Sequence, residues 1–374
     1  MIAPTIPSAA DLLETDLSYL TGKVGSDLDR LAGARILITG GAGFLGYYLV
    51  QALARWNQSH RHAPVEITVL DNFVRGEPGW IGALARAGEV ELTRYDIRDP
   101  LPPDLGEYHY IVHAAGIASP TYYRRHPIET MDANINGLRS LLEYARRRMQ
   151  GPDPVRGFLF FSSSEIYGDP APEWIPTPED YRGYVSCTGP RACYDESKRY
   201  GETLCVNFAR VHGVPATMAR PFNNYGPGLK ATDGRVIPDF ASDLLAGRDL
   251  VLRSDGRPTR TFCYVADAVA GYLKILLRGR PGEPYNIGIE SPEVSMTDLA
   301  SRMVELGRQL FGYSGRVIHQ PSPEPQYLED NPLRRCPSIA KAREELGYDP
   351  EIDLNEGLRR SLAWYSHNPG GSAA

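Results

Sequence analysis

The chain has little that suits a secreted, membrane-spanning or nucleic-acid-binding protein. Its five cysteines, Cys187, Cys193, Cys205, Cys263 and Cys336, are odd in number and form no CxxC pair. That speaks against a disulfide framework and a cysteine-based metal site, and suits free thiols in a reducing compartment. A basic start followed by an apolar run is missing, so MIAPTIPSAADLLETDL does not read as a secretory signal. No uncharged apolar stretch approaches the roughly 20 residues of a membrane span. Basic excess is missing too: 40 Lys and Arg stand against 46 Asp and Glu, a formal net charge of −6. This gives no support to a general binder of nucleic acid or membrane surfaces. The expectation is a cytoplasmic protein with no metal and with neither nucleic acid nor membrane as partner.

What is present is enough apolar sequence for a large core: 42% of 374 residues. In residues 1–34, Leu12, Leu13, Leu17, Leu20, Leu28 and Leu31 have partial helical spacing. They predict a helical extension packed on the main body. From Arg35 onward short apolar runs alternate with helical segments. Strands are expected at 36–39, 66–71, 91–96, 110–115, 157–162 and 216–221, and helices at 45–56, near 128–148 and at 192–212. Such alternation predicts an α/β fold with a Rossmann-like, doubly wound parallel sheet. After about Tyr225, Gly and Pro rise. The chain therefore divides into the extension, a dinucleotide-binding domain at 35–225, a smaller C-terminal substrate lobe at 226–366 with some return to the first domain, and a tail at 367–374.

The first strand runs into ILITGGAGFLGYYLV, with glycines at 40, 41, 43 and 46. Glycines at a strand-to-helix turn admit positive φ, let a pyrophosphate approach the backbone and aim a helix N-terminus at it. The second strand ends in Asp71, placed to accept hydrogen bonds from ribose hydroxyls and to repel a 2′-phosphate, which favours NAD over NADP. Asp96, after the third strand, is a candidate for the adenine edge.

Residues 193–199 read CYDESKR, which sets Tyr194 and Lys198 on one helix face. A phenol with an ordinary pKa near ~10 is a poor base at neutral pH. A neighbouring ammonium favours the phenolate, which can take a proton from a sugar hydroxyl. Upstream, SSSEIYGDP (162–170) puts Ser163, Ser164 and the acid Glu165 at the end of an apolar strand.

Together GGAGFLG, Asp71-Asn72, His113-Ala-Ala115, SSSEIYG and Tyr194-x-x-x-Lys198 resemble the extended short-chain dehydrogenase/reductase superfamily of nucleotide-sugar epimerases, dehydratases and decarboxylases. The resemblance spans about 35–366. Within it, ASPTYYRRHPIET (118–130), GPRACYDESKR (189–199), PFNNYGP (221–227), DGRVIPDF (233–240), GRPTRTFCYVADAV (256–269) and DNPLRRCPSIAKAREELGY (330–348) are similar to UDP-glucuronate decarboxylases. The resemblance implies NAD held by Gly40, Gly43, Phe44, Leu45, Gly46, Asp71, Asn72, Asp96, Ile97, Ala114, Ala115, Tyr194, Lys198 and Pro221. It implies a nucleotide sugar, most naturally a UDP-sugar, held by Ser119, Glu165, Arg191, Asn223, Lys230, Arg235, Arg260 and Arg335. Catalysis would fall to Tyr194, Lys198, Ser163, Ser164, Glu165 and Arg260. A homodimer through helices near 128–148 and 192–212 is also implied.

Dehydratases of the superfamily carry an Asp-Glu pair at this strand end, and here the Asp position is Ser164. The Ser-Glu pair is similar to the decarboxylases. Loss of CO2 from UDP-glucuronate, giving UDP-xylose, is therefore the expected reaction. A nucleotide-sugar 4-epimerase using the same Tyr, Lys and NAD is the alternative, and a non-catalytic NAD-binding scaffold a more distant one. The extension at 1–34 and the segment APEWIPTPEDYRGYVSCTG (171–189) depart from the decarboxylase pattern.

Overall fold

The computed structural model describes residues 6–323 and 329–369. Seven strands form one parallel sheet: β1 (Arg35–Thr39), β2 (Glu66–Asp71), β3 (Glu91–Arg94), β4 (Tyr110–His113), β5 (Gly157–Phe161), β6 (Ala216–Pro221) and β7 (Pro284–Ile287). Their spatial order is β7-β6-β5-β4-β1-β2-β3. The order reverses between β1 and β4, and ligands of such sheets bind outside the carboxyl ends of the strands at that switch point. The strands β1, β4 and β5 are buried along most of their length, as sequences covered on both faces must be.

β3 and β4 stop two residues before the ends expected from the sequence. Past Arg94 and His113 the chain leaves the ladder to form loops over the sheet's carboxyl edge, and Asp96 there closes a turn onto the Arg98 N–H. The helical segment at 127–148 is interrupted by a wide turn of π geometry at Ala133–Gly137. β7 comes from beyond 226 yet extends the main sheet beside β6.

Five helices matter below: α1 (Ala9–Val24), α2 (Phe44–Ser59), α3 (Ala192–His212), α4 (Val265–Arg278) and α5 (Leu354–His367). The sequence of α4, VADAVAGYLKILLR, is apolar around almost its whole circumference, and every residue from Val265 to Leu277 is buried. A helix of that kind needs cover on both sides. The sheet covers one side and α1 the other, burying Leu12, Leu17, Leu20 and Val24. Each such side chain stabilises the fold by roughly 1.5–3 kcal/mol on burial. Asp16 of α1 is fully buried and bonded by three elements at once. The hydroxyls of Tyr48 and Tyr264 donate to its Oδ2 at 2.5 Å, and Arg360 of α5 donates to Oδ1 at 2.6 Å. Nearby, Tyr19 donates to Asp267 of α4 at 2.5 Å. Among the described residues no helix is long and apolar enough to cross a membrane.

Candidate active site

The glycine turn lies between β1 and α2. Gly40 has φ +73, and a Cβ there would meet the Ala115 backbone at 2.5 Å. Gly46 packs on Gly41, whose carbonyl oxygen would lie 2.0 Å from an added Cβ. Side chains are therefore excluded from the cleft floor, and the first helical N–H groups stay open behind Gly43, the N-cap. Asp71 closes the turn from β2: Oδ2 accepts from Ala42 N at 3.0 Å and Oδ1 from Phe73 N at 2.8 Å. Asn72 donates to Asp96, which also pairs with both guanidinium arms of Arg98. The Arg98 hydrogen bonds, outweighing burial, hold the Asp96 carboxyl far below its usual range.

Ala114 and Ala115 follow β4 and form the floor beside the turn. The preceding His113 is buried, with Nδ1 2.8 Å from Thr39 Oγ1 and Nε2 3.2 Å from the Ala133 carbonyl. Burial, and then the Lys198 charge, push its pKa down to about 3, so it is neutral. Ile97 is turned inward against Gly137. Pro221 ends β6.

At the end of β5, Ser163 Oγ accepts from Glu165 N at 3.2 Å and starts a short 3-10 turn, Ser164–Tyr167. Gly168, at φ +62, ends that turn, and a Cβ there would lie 1.7 Å from the Tyr184 carbonyl oxygen. So close an approach lays the 171–189 segment directly on the Glu165 turn. The same segment is tied to the end of the chain through Thr177 N–H to Cys336 O (2.8 Å) and Ser338 N–H to Thr177 O (2.9 Å).

Glu165 is enclosed by arginines. Arg191 Nη2 and Arg335 Nη2 both donate to its Oε2, Arg335 at 2.5 Å. Burial pushes its pKa up, but Arg191, Arg335 and Arg260 together outweigh that and hold the carboxyl below its usual range. Arg260 is buried and donates to the carbonyls of Thr259, Pro332 and Leu333 and to Asn331 Oδ1. Asn223, at φ +43, donates to Thr261 O at 2.9 Å and so fixes the strand that carries Arg260.

Tyr194 and Lys198 project from the first two turns of α3 toward the same cleft. Lys198 Nζ lies 5.6 Å from the Tyr194 ring centre and donates to Phe161 O at 2.7 Å. Burial pulls the Lys198 pKa down to about 7. Burial raises Tyr194 to about 12; Ser163 beside it pulls it down, while Glu165 and Asp195 push it further up. The Tyr194 ring stacks on Tyr123 at 5.0 Å.

The other residues expected to bind substrate form a second group. Ser119 donates to Asp233 O at 2.7 Å, and Arg235 pairs with Asp233 Oδ1 at 2.5 Å. Arg235 also lies 5.8 Å from the Phe44 ring centre, between the glycine turn and Tyr194. Lys230 donates to the Arg75 carbonyl and stands near Asp71, away from Glu165.

Three site residues escaped the sequence reading. Asp195 pairs with Arg191 at 3.6 Å, and their i,i+4 spacing was a usable signal. Tyr123 and Asn134 have buried polar atoms without a partner among the described residues, and no local pattern marks them.

The model of the NAD dependent epimerase/dehydratase family matches residues 36–288. UDP-glucuronic acid decarboxylase 3 of Arabidopsis thaliana is 39% identical over 87% of this chain and 86% of its own length. UDP-glucuronic acid decarboxylase 1 of Xenopus tropicalis is 36% identical over 93% and 75%. Among solved structures, a UDP-glucose 4-epimerase of Thermotoga maritima with UDP-glucose superposes with a TM-score of 0.75 at 26% identity, covering 88% of this chain and 98% of that one. A dTDP-glucose 4,6-dehydratase of Streptomyces venezuelae with NAD bound gives 0.76 at 26%, over 90% and 98%. The matched range takes in the glycine turn and the helix bearing Tyr194 and Lys198, and the chain belongs to the NAD dependent epimerase/dehydratase family.

Proposed function

We propose that this protein decarboxylates UDP-glucuronate to UDP-xylose with NAD as a retained cofactor. The observation that carries the reading is Glu165, kept ionised at a strand end by Arg191 and Arg335, with Arg260 close by and Tyr194 and Lys198 alongside. An arginine-rich pocket beside a proton acceptor suits a sugar that carries a carboxylate. The decarboxylases among the relatives support it further.

The cleft fits NAD. Gly40, Gly43 and Gly46 leave backbone room for a pyrophosphate, Asp71 lies where ribose hydroxyls would need an acceptor, and Asn134 Oδ1 is buried with no partner among the described residues, beside Gly116 and Lys198. When bound, NAD supplies the hydride acceptor for C4 of the sugar and later returns that hydride. Tyr194 takes the O4 proton, assisted by Lys198 when that side chain carries its proton. Ser163 and Ser164 donate to the C4 oxygen as charge gathers there. A C4 ketone lies β to the C5 carboxylate; the bond to the carboxyl carbon breaks, its electron pair enters the ketone as an enolate, and CO2 leaves. Arg260 orients the carboxylate before that step, and a water polarised by the ionised Glu165 gives its proton to C5 and is re-protonated from solvent.

Two copies of the chain would associate through 127–148 and α3. The support is exposed apolar surface on those helices, Ile128 at 60% and Val211 at 67%. Sedimentation velocity yielding a monomer would remove this part.

The deciding experiment supplies UDP-glucuronate and NAD to the purified protein and follows the sugar by proton NMR with CO2 release in parallel. A pentose product with CO2 is expected. Inversion at C4 without CO2 would make the protein an epimerase and leave Glu165 without its assigned task.

A further inference from the structure

Arg191 lies between two carboxylates. Its Nη2 pairs with Glu165 and its Nε faces Asp195 Oδ2 at 3.6 Å. Asp195 is 4% exposed, directly follows Tyr194 and sits in the first turn of α3. Its Oδ1 and the Arg191 Nε have no hydrogen-bond partner among the described residues. Such a buried acid is costly unless the local charge needs it.

The charge count gives the need. Three guanidinium groups, Arg191, Arg260 and Arg335, surround Glu165. With Glu165 alone ionised the cluster carries two positive charges; with Asp195 ionised as well it carries one, the complement of a single sugar carboxylate. Decarboxylation moves negative charge away from that carboxylate and onto the C4 oxygen. A second unbalanced cation at the carboxylate end would stabilise the bound substrate more than the transition state, and so slow the step.

We propose that Asp195 is a positioning residue that anchors Arg191 and trims the arginine cluster to one net positive charge, so that the substrate carboxylate is held without being over-stabilised. This rests on the decarboxylation reading above. Asp195 faces Glu165 from the strand-end turn, Arg335 from the C-terminal lobe, Tyr123 from the 120–125 helix, and Cys193, Tyr194 and Arg191 from its own end of α3. Burial and then Glu165 push its pKa up to about 7, against the pull of Arg191 and Arg335. On acidification through that range wild-type protein acquires the charge of an Asn variant.

The test measures kcat and KM for UDP-glucuronate from about pH 6 to about pH 9 in the NAD-loaded wild type, Asp195→Asn and Asp195→Glu, with CO2 as the readout. For Asn we expect kcat lower by about tenfold, KM unchanged or lower, and loss of the acid-side fall in kcat near neutrality; Glu restores that fall. If Asn fails to fold, Arg191→Lys, which keeps the charge and Asp195 but removes the two-way fork, must keep the acid-side fall while shifting its midpoint; an unshifted midpoint would overturn the anchoring of Arg191 by Asp195. Wild-type CO2 release with unaltered kcat and pH profile in the folded variant overturns the role of Asp195 alone. Absence of CO2 from wild type removes the decarboxylation reading and this role with it.

Discussion

Arg335 and Arg260 are partners in parallel register on two short strands, Arg334–Arg335 and Thr259–Arg260. Two buried guanidinium groups side by side repel one another; burial first, then Arg335, pulls the Arg260 pKa down to about 9. Arg335 has Glu165 as counter-ion, whereas Arg260 has carbonyls and an amide oxygen but, among the described residues, no carboxylate in hydrogen-bonding contact. An incoming carboxylate would relieve that. Arg260→Ala should lower kcat/KM for UDP-glucuronate by about 10- to 100-fold, the loss of one charge-assisted contact. Calorimetric titration with uncharged-sugar UDP-glucose should be little changed. Equal weakening of both ligands would instead assign Arg260 to holding the 331–333 turn.

Tyr194→Phe removes the hydroxyl and keeps the ring stack on Tyr123. Turnover should fall by about 10²- to 10⁴-fold, the range for a lost general base. Binding of UDP-glucuronate, followed by protein fluorescence, should change little.

Lys198 makes stability depend on pH. Unfolded, it binds its proton below ~10.4; folded, it does so only below about 7. Between those values the unfolded state holds more protons, so stability rises with pH across the window and is flat in this respect below it. Urea melts of wild type and Lys198→Met at several pH values should differ in slope there. Parallel slopes would mean that the ammonium persists in the fold.

Asp16→Ala leaves two buried tyrosine hydroxyls without their acceptor and Arg360, among the described residues, with Glu356 alone. Removing one member of a buried charged pair costs about 3–5 kcal/mol. A loss below ~1 kcal/mol in denaturant titration would show that the extension contributes by apolar packing alone.

Gly168→Ala should do more harm than a helix-interior exchange, because both its positive φ and the Tyr184 carbonyl oppose a Cβ. A cost of about 1–3 kcal/mol is expected, with activity lost before the fold is, since the strain falls on the Glu165 turn. Activity and melting temperature measured on the same sample separate the two.

Element order and the glycine turn were legible because their signals are local: alternating apolar runs, a strand before GGAGFLG, a helix bearing Tyr194 and Lys198 four apart. Arg260 and Arg335 carry no such local mark; 75 positions apart, they meet only through strand pairing, and a resemblance rather than spacing drew attention to them. The wide turn at Ala133–Gly137 has no residue-type signature, since ANING would equally continue an α-helix. The strand ends near 94 and 113 have no Gly or Pro breaker: beyond 113 the apolar run continues into Ala114 and Ala115, and beyond 94 it is a side-chain bond, Asp96 to the Arg98 N–H, that turns the chain away. Asp195 carries a local signal in its i,i+4 spacing from Arg191, but its burial beside Glu165 comes from packing that no local pattern shows.

The bond between Asp16 and Arg360 joins positions 344 residues apart. During synthesis α1 therefore waits for α5, a helix made more than 300 residues later. Until α5 has left the ribosome, Asp16 lacks its counter-ion, and burying it under Tyr48 and Tyr264 would strand a charge. The apolar α4, which α1 covers, is consequently left open on one side while the roughly 80 residues between it and Arg360 are made. In that interval an almost wholly apolar helix is accessible to chaperones or to other nascent chains.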